Sequence, residues 1–357
     1  MRRTIMVTGG TGFVGINFIR YAYSKGYRVI IIDTSDRFQR LTSMNIFPDP
    51  RLIFFPLNLA KDKIVLDEDT DAVIHLAALP HVDYSRYYPE RVMKNNIFAL
   101  LRTLEFAREK QIPLLFVSSI EIYGENEGEL LREDDTYRPL SPYATSKVSG
   151  EMLLQSYLNT PGMLGSIARL TNLYGPWQTP DRIIPRLITQ ILSDYPCEVD
   201  RGRLRDFLYV EDAVQALFTI VEQKLWGEVF NISSELGYDN YHLMSLLQDI
   251  SEKSINASYV TAKHRDGRGK TLISSSQKLQ NVARWKPTTS LQEGLRLTYN
   301  WYASHRGWWQ QFNENIRSNR ESPLFLTDYT HDLWTSFAYP TREANRVYDG
   351  NAVLMPI

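Results

Sequence analysis

Cysteine is almost missing from this 357-residue chain, and Cys197 is the only one. No intrachain disulfide is possible, so the expected compartment is the reducing cytoplasm. An excess of charge is missing as well: 40 basic residues face 41 acidic ones, for a net charge of −1. That balance offers no electrostatic footprint to nucleic acid or an anionic membrane, and neither is expected as a partner. No apolar run approaches the ~18 residues of a membrane span. The apolar stretch in the opening MRRTIMVTGG is broken by glycines far short of a secretory leader's core. Repeats and low-complexity segments are absent. The six histidines are scattered, none at a metal-ligand spacing from Cys, Asp or Glu, so no metal is expected. What remains is ordinary globular composition, 43% hydrophobic and 23% charged.

Within that composition, short β-branched runs alternate with helical patterns. Residues Thr4–Thr8, Arg28–Asp33, Leu52–Leu57, Ala72–Leu76, Leu114–Ser119, Leu164–Leu170 and Val229–Ile232 read as buried strands. Phe13–Lys25, Pro89–Lys110 and Val210–Gln223 read as helices. Strand–helix alternation predicts an α/β fold with a doubly wound parallel sheet covered on both faces, of the Rossmann type. After Gly175-Pro176 proline and arginine become more frequent and the pattern loosens. The expected division is a dinucleotide-binding domain of 1–175 and 209–235, and a smaller interleaved substrate lobe of 176–208 and 236–305. An aromatic-rich extension follows at 306–357, carrying Trp308, Trp309, Phe312, Phe325, Trp334, Phe337 and Tyr339. That load is too apolar for a solvated tail, so it either wraps the chain's own body or lies between subunits.

The first strand runs into Gly9-Gly10-Thr11-Gly12-Phe13-Val14-Gly15. Gly9/Gly12/Gly15 and Gly10/Gly12/Gly15 both fit a dinucleotide fingerprint. Glycines let the backbone turn and approach a pyrophosphate, which then rests on a helix N-terminus. The strand before and the helix after supply the confirming context. Asp33 closes the second strand about twenty residues on, where a carboxylate accepts ribose hydroxyls and repels a 2′-phosphate. The cofactor expected is NAD, with Arg37 and Arg40 nearby as the features that would favour NADP instead.

Tyr143 and Lys147 stand one helical turn apart in Tyr143-Ala144-Thr145-Ser146-Lys147. The same spacing occurs at Tyr21/Lys25 and Tyr259/Lys263. Only Tyr143 has Ser119 some two dozen residues earlier, at the carboxyl end of a predicted strand, where parallel sheets bind ligands. Oxidising a secondary alcohol requires removal of its hydroxyl proton. A phenol near pKa ~10 needs a neighbouring ammonium and a cationic nicotinamide to serve as base at neutral pH. Tyr143, Lys147 and Ser119 form the expected catalytic set.

These motifs, with His75-Leu76-Ala77-Ala78, Asn96, SSIEIYG (118–124), RLTNLYGP (169–176), RDFLYVEDA (205–213) and WKPTTSLQEG (285–294), resemble the extended short-chain dehydrogenase/reductases that modify nucleotide sugars. The likeness covers about 1–305. It implies a retained NAD, a sugar oxidised at C4 and later reduced, a nucleoside-diphosphate sugar as substrate, and a homodimer. It assigns Asn58, Leu59, Leu76, Ala77, Ala78, Asn96 and Ser118 to the cofactor beside the glycine loop. His81, Asn172, Arg205 and Arg265 fall to the substrate, with His81 as an imidazole in the pocket wall.

Two stretches are similar to the dTDP-glucose 4,6-dehydratases in particular: 81–85, and 172–178 followed by Pro180, Ile184 and Pro185. Those enzymes carry Thr-Asp-Glu where this chain has Ser119-Ile120-Glu121. There the Asp protonates the departing C6 hydroxyl and the Glu takes the C5 proton. Ile120 cannot donate a proton, whereas Glu121 remains and joins the catalytic set. GDP-mannose 4,6-dehydratases and UDP-glucuronate decarboxylases resemble this spot better, having Thr-Ser-Glu. The expected activity is therefore a lyase or isomerase acting through a 4-keto sugar, leaning to 4,6-dehydration. C4-epimerisation and decarboxylation of a nucleotide hexuronate remain open, with a carbonyl reductase or a non-catalytic Rossmann protein further away.

Overall fold

In the computed structural model, which describes residues 3–34, 38–126, 128–200, 204–260 and 271–318, seven strands form one parallel sheet. They are β1 (Thr4–Thr8), β2 (Arg28–Asp33), β3 (Leu52–Pro56), β4 (Ala72–His75), β5 (Leu114–Ser119), β6 (Gly165–Leu170) and β10 (Val229–Ile232). The order is β10-β6-β5-β4-β1-β2-β3. All seven coincide with runs read from the sequence, within one residue at either end. All but the edge strand β3 are buried along both faces, so an uninterrupted apolar run is their signature.

Alternate residues feed opposite layers. Ile5, Val7, Val29 and Ile31 point to one core, which α1 (Phe13–Ser24) and α7 (Val210–Glu222) cover. Met6, Ile30, Ile32 and Val73 point to the other, covered by α4 (Pro89–Lys110) and α5 (Pro142–Leu158). The short helices α2 (Phe38–Thr42) and α3 (Val82–Tyr87) lie in the connections after β2 and β4. Helix α5 starts sharply because Ser141 accepts the Ala144 N–H at 3.1 Å and Pro142 takes the first position.

A second core gathers Leu187 and Ile191 of α6 (Ile183–Leu192), Leu243 and Leu247 of α8 (Asn240–Ser251), and Leu295 and Tyr302 of α10 (Leu291–Ser304). Two small sheets frame it. In one, β7 (Asn172–Tyr174) pairs with β9 (Arg205–Tyr209), and β9 with β11 (Gly237–Tyr238). In the other, β8 (Cys197–Asp200) and β12 (Ala257–Val260) run parallel. Helix α9 (Gln277–Ala283) packs Leu279 and Ala283 into the first core. Helix α11 (Arg306–Ser318) brings Trp309, fully buried, and Phe312 into the second core. The start of the aromatic extension thus wraps its own chain, while Phe325, Trp334, Phe337 and Tyr339 lie outside the described residues. Among those residues no helix is long and apolar enough to cross a membrane.

Candidate active site

The sheet order reverses between β1 and β4, and the carboxyl ends of these strands part there to open a crevice. It widens into a cavity of about 960 Å³. At one end it is lined by Gly9, Gly12, Phe13, Val14, Gly15, Asp33, Asn58, Leu59, Leu76, Ala77 and Ala78. At the other stand Ser118, Ser119, Glu121, Tyr143, Lys147, His81 and Asn172.

The glycine end is shaped by backbone approach. Gly9 sits at φ +69°, and a Cβ there would come within 2.7 Å of the Ala77 backbone. At Gly15 a Cβ would meet the Gly9 carbonyl at 2.5 Å. Gly10 instead faces the Ile31 side chain and does not line the cavity, which decides between the two glycine patterns in favour of 9/12/15. Asp33 already serves the loop: Oδ2 accepts the Thr11 N–H at 3.0 Å and its hydroxyl at 2.6 Å, and Oδ1 accepts the Thr34 N–H at 2.9 Å. A carboxylate has about four acceptor positions, so Oδ1 retains capacity for a ligand hydroxyl. Arg40 also lines the cavity, and Arg37 lies outside the described residues.

At the other end α5 presents Tyr143 and Lys147 beneath Ser119, the last residue of β5. Ser119 Oγ accepts the Glu121 N–H at 3.2 Å and shares a hydrogen bond with the Tyr143 phenol. The Lys147 ammonium donates to the Val117 carbonyl at 2.7 Å and lies 6.0 Å from the centre of the Tyr143 ring. Burial lowers the Lys147 pKa to about 8, with Glu151 opposing. Burial also pushes the Tyr143 phenol up to about 12, while the Ser119 bond and the Arg182 charge pull down and Glu121 pushes up. The protein alone therefore does not make the phenol basic at neutral pH. The ammonium's direct partner is a backbone carbonyl rather than the phenol oxygen.

Ile120 is 1% exposed, packed with Ile122, Leu131, Val148 and Leu272, and does not line the cavity, whereas the next residue, Glu121, does. His81 Nε2 lies 3.2 Å from Asp181 Oδ2, with both side chains nearly buried. Against burial, which pushes it up, His81 and Arg182 hold the Asp181 carboxyl down at about 2. Arg182 Nη2 reaches across to the Pro80 carbonyl at 3.0 Å. Asp181 and Arg182 thus fasten the 177–183 segment to the loop after β4. Both line the cavity and were missed in the sequence. The available signal was two opposite charges inside a stretch otherwise noted only for its prolines and isoleucine.

Two residues assigned by resemblance stand outside the cavity lining. Asn96 is buried in α4 and serves the chain itself, accepting the Leu79 N–H at 2.7 Å and donating to Ser146 Oγ at 2.9 Å. Arg205 opens β9 with a buried, unpartnered Nη1. Arg265 lies outside the described residues. Of the two other Tyr/Lys spacings, Tyr21 packs edge-on against Phe218 at 5.3 Å, and Tyr259 is an exposed strand residue. The RDFLYVEDA and WKPTTSLQEG stretches meet: Asp212 accepts the Thr288 and Thr289 N–H groups at 3.1 and 3.0 Å, a structural clasp away from the site.

Known proteins resemble this chain in sequence and fold. The chain is 30% identical over 349 residues to dTDP-glucose 4,6-dehydratase of Neisseria meningitidis serogroup B, across 89% of this chain and 98% of that protein. Its fold is similar to that of dTDP-glucose 4,6-dehydratase from Bacillus anthracis solved in complex with NAD, at TM-score 0.77 and 26% identity, covering 87% of this chain and 99% of the other. It is similar also to UDP-glucuronic acid 4-epimerase of Bacillus cereus in complex with UDP-glucuronic acid and NAD, at TM-score 0.75 and 28% identity, covering 84% and 99%. The family model of GDP-mannose 4,6 dehydratase matches residues 6–298, and the chain belongs to that family.

Proposed function

We propose that this enzyme is an NAD-dependent nucleotide-sugar 4,6-dehydratase acting through a 4-keto sugar. The observation that carries the reading is Glu121, a carboxylate in the same cavity as Ser119, Tyr143 and Lys147. A C4-epimerase needs no base at C5, so a carboxylate held at the cavity wall is explained by a step after oxidation. The glycine loop and the spare acceptor capacity of Asp33 fit NAD, which when bound supplies the hydride acceptor for C4 and a positive charge near the phenol. We read 1–175 with 209–235 as the cofactor domain and 176–208 with 236–305 as the lobe that receives the sugar nucleotide.

Tyr143 takes the C4 hydroxyl proton, Ser119 holds the same oxygen, and the Lys147 ammonium steadies the phenolate electrostatically. Glu121 then removes the C5 proton, made acidic by the adjacent ketone. With Ile120 turned away, protonated Glu121 itself delivers a proton to the C6 hydroxyl. The C6–O bond breaks, water leaves and a C5=C6 double bond forms. The hydride taken from C4 then returns to C6 while Glu121 passes a solvent proton to C5, closing the turnover as a 4-keto-6-deoxy sugar. One carboxylate serves both turns because accepting a proton makes it the acid. His81, Asn172, Arg205 and Arg265 are the proposed substrate contacts. Phe98 on α4 and Met152 on α5, exposed apolar side chains on adjacent helices, support a homodimer, and the single buried Cys197 suits a cytoplasmic setting.

The test is dTDP-glucose in D₂O, with product mass and label position as readouts. Wild type should lose water and carry deuterium at C5. Glu121→Gln should still convert bound NAD to NADH but neither lose water nor exchange C5 hydrogen. Wild-type product with no C5 label and unchanged mass would replace this reading with epimerisation.

A further inference from the structure

Behind the catalytic side chains lies an ion pair that the reaction as described does not use. Arg169 on β6 and Glu151 on α5 are 2% and 0% exposed, with Nη2 and Oε2 2.7 Å apart. All five guanidinium N–H groups have partners. Nε donates to both Glu151 oxygens at 3.0 and 3.2 Å, and Nη2 to Glu151 and the Tyr137 hydroxyl at 2.7 and 3.0 Å. Nη1 donates to the Tyr123 hydroxyl at 2.6 Å and the Glu133 carbonyl at 2.8 Å. Tyr137 returns a hydrogen bond to Glu151 at 2.8 Å, and Tyr123 passes one to Asn231 at 2.7 Å. Removing two charges from water costs several kcal/mol per ion, and a well-packed apolar replacement is often at least as stable. Stability is thus a weak reason for the pair, and its placement offers another.

Tyr123 ends the 3₁₀ turn Ile120–Tyr123 that presents Glu121. Glu151 stands one helical turn after Lys147 on α5. One buried pair therefore touches both elements that carry the chemistry. Among the described residues, the other groups facing Lys147 supply no negative charge. From β5 come the Val117 carbonyl and the Phe116 ring, centred 5.0 Å away. From β4 comes His75, held neutral by burial, which lowers it to about 3. Tyr143 shares the helix, and Glu121 and Arg182 act on the phenol.

We propose that Glu151 and Arg169 are positioning residues for both steps: Arg169 holds the Glu121 turn through Tyr123, and Glu151 sets its negative charge one helical turn from the Lys147 ammonium. Only the Glu121 arm rests on the dehydratase reading. The pair makes oxidation at C4 and proton removal at C5 depend on one rigid link.

The test uses the full chain with NAD and dTDP-glucose. In Glu151→Gln the alkaline limb of NADH formation should move down by about half a pH unit or more, and in the double variant Glu151→Met/Arg169→Met, which also removes the opposing Arg169 charge, by less. The rate at the optimum should fall about tenfold or more, as small displacements at a site do. Tyr123→Phe should slow deuterium exchange at C5 several times more than NADH formation. A folded Glu151→Gln with an unshifted alkaline limb, or a folded double variant whose rate at the optimum is unchanged, overturns the Lys147 arm. Equal slowing of both steps in Tyr123→Phe overturns the Glu121 arm, and this variant removes a single hydroxyl, so it remains informative if the double variant does not fold. A wild type that never labels C5 removes the dehydratase reading and the Glu121 arm together, leaving the pH limb to decide the rest.

Discussion

The two ends of the cavity are made of different material. The glycine end is backbone meeting backbone: Gly9 against Ala77, Gly15 against Gly9 and Gly10, with Asp33 fastening the loop through Thr11. Its pieces come from the start of α1 and the carboxyl ends of β1, β2, β3 and β4, and most of its shape is steric. The other end, where we propose the sugar sits, is made of side chains converging from distant points: Ser119 at the end of β5 and Glu121 after it, Tyr143 and Lys147 on α5, His81 after β4, and Asp181 before α6. Its chemistry is electrostatic, and burial moves Tyr143 and Lys147 in opposite directions, to about 12 and about 8. A steric site tolerates no added atom, whereas an electrostatic one tolerates atoms but not a changed proton or charge.

That contrast can be broken by substitution, and the largest effect belongs to the sugar end. Tyr143→Phe keeps the ring and its packing, so melting and NAD binding should be close to wild type while turnover drops by about 10²–10⁴-fold, the worth of a positioned acid or base. Parallel steady-state kinetics and calorimetric NAD titration check it. The reverse pattern is expected at the glycine end. In Gly15→Ala the new methyl collides with the Gly9 carbonyl, and strain of about 1–3 kcal/mol should weaken NAD binding about 10- to 100-fold. Unchanged affinity would show that the loop has room the geometry denies.

A smaller effect concerns the fastening between the 177–183 segment and the loop after β4. Asp181 is held at about 2, below its ordinary 3.8. A depressed carboxyl contributes stability that is fully present above the unfolded value and lost as pH falls through the folded one. The window is therefore about pH 4 down to 2, and the contribution is about 2 kcal/mol. Asp181→Asn should flatten the acid side of the stability–pH curve, measured by urea unfolding at a series of pH values. The smallest effects are expected where the Tyr/Lys spacing is incidental. Tyr21→Phe and Tyr259→Phe should leave turnover within about twofold, since surface and peripheral changes are worth roughly 0.5 kcal/mol or less.

How much was legible followed from how local each feature is. The seven strands and the glycine loop are contiguous, so periodicity and spacing expose them without knowledge of the rest. Tyr143 and Lys147 could be ranked above two other pairs because Ser119 ends a recognisable strand. Asn96 shows the limit: its place in a familiar pattern suggested the cofactor, yet its carboxamide is spent on Leu79 and Ser146. Asp181 and Arg182 were passed over because their partners, His81 and the Pro80 carbonyl, are about a hundred residues away.

The sequence by itself determined the doubly wound sheet, the glycine turn and the candidate Ser119, Tyr143 and Lys147, because each is written in neighbouring residues, in one helical repeat or at the end of a recognisable strand. Only the tertiary structure decided that Gly9 rather than Gly10 faces the cavity, that Ile120 is turned into an apolar cluster while Glu121 looks inward, and that Glu151 and Arg169 join β6, α5 and the Glu121 turn behind the site. Each of those outcomes depends on which side of a strand or turn a residue presents and on what the fold brings opposite it. Such pairings arise from chain closure over long separations, and no local pattern encodes them.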